Sequence, residues 1–542
     1  ADPSPAVIGA MVDELGRNAE RLKLGDYEKP YFIAYAYTVH ETDLLLARFG
    51  SVHRESSSRD GELYVEVRVG DYAFDNTGEL DSFFPFQLDE GLPLGQDAPA
   101  DDSLSALKAA LWLRTDAQYK QALADYHRKK GKAVYQSPEA DVASFSREKP
   151  VQWRGVPARL NYDASAWKKR LLELSARFAT HPEIANYLIQ LRATRDTRYF
   201  VNTEGTRVAD ERTLYALSID AETHAADEMV LTSNRAFYAP TEKTLPAWET
   251  IAAETQGMID ELLALRGAPL LDPYTGPAIL SPQAAGVLFH EAVGHRLEGE
   301  RQNSDEEGRT FKGQVGQMIL PEFLDLIDDP TETSFEGEPL NGHYLYDDEG
   351  APARRTLLVE GGVLKNYLMS RTPVEGFALS TGHGRAAGAR KPMARMGVTR
   401  LVSHKSAPHD ELKAKLIDLV VAQKKPYGLI VEDMDGGSTN TSSYGYQAFK
   451  GVPRVVRRVF PDGREELVRG VELVGTPLAS INKIALTGDR YEAFNGFCGA
   501  ESGYVPVSTI APALLLEELE LQRKKEEKSR PPILPPPGQE KK

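Results

Sequence analysis

The stretch Phe289-His290-Glu291-Ala292-Val293-Gly294-His295 carries two imidazoles and an adjacent carboxylate, the ingredients of a zinc-hydrolase helix. In the familiar arrangement the histidines stand four apart, ~40° around the helix axis; here they stand five apart, roughly 140° on a regular α-helix. Both could not then reach one metal. A one-residue π-type bulge returns them to one face, and Gly294, directly before the second histidine, is where backbone freedom eases such a distortion. Metal binding by this pair therefore predicts a deformed helix. A pair of hydrogen-bonded core histidines is the alternative that the string leaves open.

Two histidines need a third protein ligand for a catalytic zinc site with one open position. The only cysteine of the chain, Cys498, lies between Gly496 and Gly499, where the backbone can approach a metal closely. A His₂Cys set coordinates zinc and leaves room for water or substrate; taken alone, Cys498 reads equally as a buried structural thiol. Other constellations carry less. Asp347, Asp348 and Glu349 read as an acidic turn before a strand, or as a cation site. Glu298 and Glu300 follow the metal helix as partners for an imidazole or as a solvated helix end. His343, His383, His404 and His409 are isolated alternative ligands. Arg385, Arg390, Lys391 and Arg395 form a basic stretch, either a clamp for a substrate carboxylate or a surface patch. The run Gly436–Thr441 reads as a substrate-side loop and lacks the lysine of a phosphate loop.

The elements that must position these residues fall into two textures. Up to about residue 270 helix and strand signals alternate. A helix opens at Ser4-Pro5, and strand-like segments cover Tyr31–His40, Leu44–His53 and Glu62–Gly70, with turn chemistry at Gly50-Ser51 and Ser56–Gly61. Helices are expected over Ser103–Lys130, Ala164–Thr180 and Pro246–Arg266, and strands over Arg198–Thr203 and Thr213–Ile219. Beyond the Pro/Gly-rich link Gly267–Pro277, a helix starts at Ser281-Pro282, and short glycine-punctuated strands follow, interrupted only by a helix over Pro408–Lys424. The fold class read from this is α+β: an N-terminal α/β domain, residues 1–270, with a helical insertion at about 80–180, and a C-terminal strand-rich domain, 271–521, with a curved antiparallel sheet or barrel-like core and the metal-binding helix. Residues 522–542, charged and then proline-rich, read as a disordered tail.

With 542 residues, 64 Lys+Arg against 80 Asp+Glu and a net charge of −16, the composition argues against broad nucleic-acid binding, which needs a basic face. No apolar run approaches the ~18–20 residues of a spanning helix. One cysteine excludes an intramolecular disulfide. The Ala1-Asp2-Pro3 start is what an exported protein cleaved after a small residue would show.

The string Leu288–Glu298, together with Tyr346–Pro352, Lys391–Met396, Gly496–Gly499 and Val505–Ser508, resembles the TldD/PmbA family of zinc metalloproteases, on the metal-bearing TldD-like branch. The resemblance implies a zinc-dependent peptidase acting on small or unfolded peptides, one Zn²⁺ per chain held by His290, His295 and Cys498, with Glu291 beside it as general base. It also implies a homodimer or a heterodimer with a PmbA-like subunit, and a cytoplasmic location. A strand-rich core would let an extended peptide add to a sheet edge. The rivals are a non-catalytic partner subunit of a protease complex and a metal-dependent amidase for a non-peptide substrate.

Overall fold

The structure is a computed structural model that describes residues 4–78, 97–101, 103–133, 142–303, 311–439, 449–475, 477–525, 529–534 and 537. It is a mixed α+β molecule with two main sheets. The first takes its strands from β1 (Pro30–Arg48), β2 (Ser51–Val69), β3 (Asp97–Ala98), β4 (Gln152–Arg154), β5 (Asn186–Asn202), β6 (Arg207–His224) and β7 (Val230–Ala239). Their order is β3-β2-β1-β5-β6-β4, with β7 also on β6, and every pairing but β4–β6 is antiparallel. Four helices, α1 (Ser4–Arg21), α2 (Leu104–Ala133), α3 (Ala164–Phe178) and α4 (Trp248–Gly267), cover one face.

Period-2 alternation decides which face. Ile33, Tyr35, Tyr37 and Val39 point to α1 and α2, while Phe32, Ala34 and Ala36 point the other way, to Phe145 and Tyr346. Helices α2 and α3 form the expected insertion, and the part of it at 79–96 lies outside the described residues. The three strands expected before residue 70 are two long ones. The turn at Phe49-Gly50, both at positive φ, matches the hairpin signal, but Ser56–Gly61 runs on as strand. Its polar residues are tolerated because that stretch of β2 is mostly solvent-exposed and its backbone bonds are supplied by β1.

The second sheet comprises β8 (Tyr274–Leu280), β9 (Leu324–Asp328), β12 (Thr356–Glu360), β13 (Val363–Leu364), β16 (Val398–Ser403), β17 (Ser406–Ala407), β18 (Gly428–Thr439), β19 (Phe449–Val459), β20 (Glu465–Val468), β21 (Val471–Gly475), β22 (Ile484–Ala500) and β23 (Gly503–Arg523). Two small hairpins stand apart: β10 (Ser334–Phe335) with β11 (Glu338–Pro339), and β14 (Gly384–Arg385) with β15 (Met393–Ala394). The order β23-β21-β19-β18-β8 closes on itself through a β8–β23 pairing, which makes a five-stranded barrel. Helix α5 (Pro282–Ala292) packs on β23 and β18, while α6 (His409–Ala422) lies outside, its Leu412, Leu416 and Val420 on β8, β18 and β22. Residues 436–439 belong to β18 rather than to a loop, since they pair with β19; Asn440 and Thr441 lie outside the described residues.

The two parts are clamped by ion pairs, Arg371 with Glu204 (2.8 Å), Arg198 with Asp348 (3.2 Å) and Arg469 with Asp227 (3.0 Å). No helix among the described residues is long and apolar enough to cross a membrane.

Candidate metal centre

Helix α5 is buried from Ala284 to Ala292 and apolar except on the side that carries Gln283, His290 and Glu291 to the cleft. Ser281 caps it by accepting from the Ala284 amide at 3.2 Å, with Pro282 at the first position. Gln283 then ties the helix to β18 by two bonds, its amide donating to the Met434 carbonyl (2.9 Å) and accepting from the Met434 amide (3.1 Å). The helix stops at Ala292, and a 3₁₀ turn, Gly294–Leu297, follows. The distortion expected between the histidines is thus a helix end and a tighter turn, not a π-bulge. Arg296 makes this possible: its guanidinium folds back to the Glu291 and Ala292 carbonyls, both at 3.0 Å, which the ended helix leaves unpaired.

The change of winding brings His295 round to the side of His290. Their rings lie 5.0 Å apart at 86°. Cys498 reaches both from β22: its Sγ is 3.1 Å from His290 Nε2 and 3.3 Å from His295 Nε2. The three ligand atoms lie within 4.8 Å of one another. A zinc ion shared by two imidazoles and a thiolate at ~2.0–2.1 and ~2.3 Å asks for S···N separations of about 3.5 Å at tetrahedral angles, so the set fits that ion. Burial pushes the Cys498 thiol up, but the two imidazoles outweigh it and hold the thiol well below its ordinary range, which favours the thiolate that a metal requires. Glu291 sits at the edge of the group, 4.0 Å from His295 Nε2.

Behind the ligands lies a buried charge network. Glu298 is fully buried and no solvated helix end; it takes His295 Nδ1 at 3.1 Å and Arg301 Nε at 2.7 Å. Burial disfavours its charge, yet His295 and Arg301 bring it down to about 2. Burial likewise disfavours the His295 cation, and Glu298 and Cys498 prevail, raising it to about 10. Arg301 continues to Glu501 at 3.0 Å. Glu300 is half-buried and bonded to Ser370 and the Ala394 amide.

The other candidates lie elsewhere. His383 is bound to Asp328, His343 to the Pro330 carbonyl and His404 to Asp325, and none joins the ligand set. Asp347 closes a buried turn by accepting from the Glu349, Ala351 and Gly384 amides. Of the basic stretch, Arg385 and Arg395 are buried while Arg390 and Lys391 are exposed at the surface, and none of the four lines the cleft. Arg301, Glu501 and Arg296 were not singled out by sequence. An Arg three residues after a Glu at a helix exit was the one available signal, and it is common.

His290, Glu291, His295 and Cys498 open on a cleft of about 1350 Å³ between the two parts. Its walls are β7 (Asn234–Tyr238), Glu432–Gly436 of β18 and the β22–β23 hairpin. Phe494, Phe497 and Tyr504 are exposed there, and Tyr238 of the first sheet meets Phe497 edge-on at 5.8 Å. The volume exceeds the ~300–1,000 Å³ of pockets for small ligands.

Residues 273–523 match the family described as PmbA/TldA metallopeptidase C-terminal domain. A metalloprotease of Methanocaldococcus jannaschii is 27% identical over 343 residues, 63% of this chain and 70% of the relative. A zinc metalloprotease TldD homolog of Saccharolobus solfataricus is 26% identical over 246 residues, 45% of this chain and 51% of the relative. Several other curated relatives are likewise covered over about half their own length. In fold, TldE from Thermococcus kodakarensis superposes with a TM-score of 0.62 at 14% identity, over 95% of this chain and 100% of that one.

Proposed function

Since residues 273–523 belong to the PmbA/TldD family of metallopeptidases, we propose that this chain is a zinc-dependent peptidase that hydrolyses small or unfolded peptides. The observation that carries the reading is the convergence of His290, His295 and Cys498, from elements 208 residues apart, beside Glu291 in a peptide-sized cleft. The two imidazoles and the thiolate would hold one zinc ion, which when bound supplies Lewis acidity to water and to the scissile carbonyl.

The remaining steps belong to the chain's own groups. Glu291 accepts the proton of the attacking water and passes it to the leaving amine, a carboxylate shuttle worth typically 10²–10⁴-fold. Glu298 fixes the tautomer of His295 by holding its Nδ1, so that Nε2 faces Cys498. An extended peptide lies along β22, whose edge beyond Gly488 has no strand partner other than β23 among the described residues. Main-chain bonds of that kind accept varied side chains. The likeness in fold to TldE supports a dimer, either with a second copy or with a TldE/PmbA-like subunit.

Elemental analysis of wild type and Cys498→Ala, purified side by side without added metal, tests the reading. About one zinc per chain in wild type and far less in the variant supports it; equal zinc removes Cys498 from the set. No metal in either, even after zinc is supplied, refutes the peptidase and favours a binding subunit. Glu291→Gln then separates the roles, since a peptidase loses turnover and keeps metal.

A further inference from the structure

We infer that Arg395 and Met396 form a brace that sets the spacing of the three ligands, and with it the affinity of the centre for its metal. This rests on the metal-centre reading above and adds positioning residues to it. The two neighbours touch both ligand-bearing segments. Arg395, with no exposed surface, donates Nη2 to the Cys498 carbonyl at 2.7 Å and Nη1 to Ser502 Oγ at 2.9 Å and the Gly503 carbonyl at 3.1 Å. Its Nε stands 3.5 Å from Glu298 Oε1, the oxygen that holds His295 Nδ1. One guanidinium therefore ties down the hairpin that presents the thiol by hydrogen bonds, and faces the carboxylate that orients the second imidazole as an ion pair.

Met396 works on the other segment. Its sulfur lies so close to Gly294 that a Cβ at that position would overlap it. Gly294 opens the 3₁₀ turn that carries His295 round, and its φ is not in the left-handed region. The position needs glycine for the close approach of Met396, not for backbone freedom. The packed sulfur thus fixes how deeply the turn can sit.

The brace is itself rigid. The Arg395 amide donates to the His383 carbonyl at 2.9 Å, Arg385 donates to the Met396 carbonyl at 2.6 Å, and the Gly397 amide to Asp328 at 3.1 Å. The planar fork of arginine suits three acceptors in different directions, which the point charge of lysine does not. Its buried charge is matched by Glu298, and outer contacts of this kind typically alter metal affinity 10–100-fold.

The test measures zinc affinity by chelator competition and the absorption spectrum of the Co²⁺ form. Arg395→Met is expected to bind zinc about 10–100-fold more weakly and to shift the cobalt bands, with Arg395→Lys failing to restore either. Gly294→Ala, which drives a Cβ into the sulfur, is expected to lose affinity similarly, and Gly294→Ala/Met396→Ala to regain it. Wild-type affinity and spectrum in Arg395→Met and Gly294→Ala overturn the brace and leave the metal centre standing. A wild-type chain that takes up no metal overturns the centre itself. Should circular dichroism show Arg395→Met unfolded, the glycine series decides: no recovery in the double variant overturns the brace.

Discussion

The two sheets differ in how they close. In the first, most ladders join chain neighbours, β1 with β2 across a two-residue turn, β5 with β6 and β6 with β7, and the distant β1–β5 ladder sets these hairpins side by side. In the second, β8 and β23, the first and last strands, pair with each other, with Leu280 opposite Leu514. The candidate metal centre sits in the second. His290 and Cys498 come from its two ends, and the first sheet contributes one wall of the cleft. A scaffold can be assembled from hairpins that each specify their own register. A metal centre needs ligands fixed from several directions, and only distant contacts supply those.

The contrast can be tested by perturbing each side. The largest effect belongs to Cys498→Ala, expected to lower zinc affinity by more than about 10²-fold, while amide exchange in β1–β7 stays as in wild type; loss of protection there would show the halves to be one cooperative unit. Next come matched cavities. Leu514→Ala on β23 and Ile189→Ala on β5, both fully buried, should each cost about 2–5 kcal/mol in denaturant unfolding. Only the former should also weaken metal binding.

A smaller effect comes from Glu349, whose carboxyl is raised well above its usual range by burial and by nearby Asp347. The folded chain then keeps a proton that the unfolded chain releases above ~4.5, so this group lowers stability as pH rises, by up to ~1.4 kcal/mol per unit. Glu349→Gln should therefore unfold at higher denaturant than wild type at pH 8 and match it at pH 4. The smallest effect is expected at His40 in the first sheet. Its bond to Asp196 raises its pKa, so the stabilisation is complete below ~6.5 and lost as pH rises through the folded value. His40→Gln should cost about 0.5 kcal/mol at pH 5.5 and less at pH 8.5.

What the sequence made legible follows the same division. The helix starts at Ser281-Pro282 and the helices observed over Leu104–Ala133, Ala164–Phe178 and His409–Ala422 are local patterns, and local patterns could be read. So could the residue types of the His290–His295 string and the lone Cys498. The winding between the histidines could not, because it depends on Arg296 folding back and on Met396 arriving from about a hundred residues away. Arg395 was visible only as a basic residue among others. Its purpose lies in the Cys498 carbonyl, 103 residues onward. Ser56–Gly61 misled for a related reason, since nothing in that polar run announces the ladder with β1.

The long strand β23 has one more consequence, which concerns time. It pairs with β8, β16, β21 and β22, so the barrel has no closed form without it. A ribosome making this chain releases the first sheet with all its partners hundreds of residues before the barrel can shut. His290 and His295 wait through nearly the whole of that interval for a thiol and for the strand that holds it in place. Closure of the barrel by β23 and the meeting of His290 and His295 with Cys498 therefore belong to the same late step of folding.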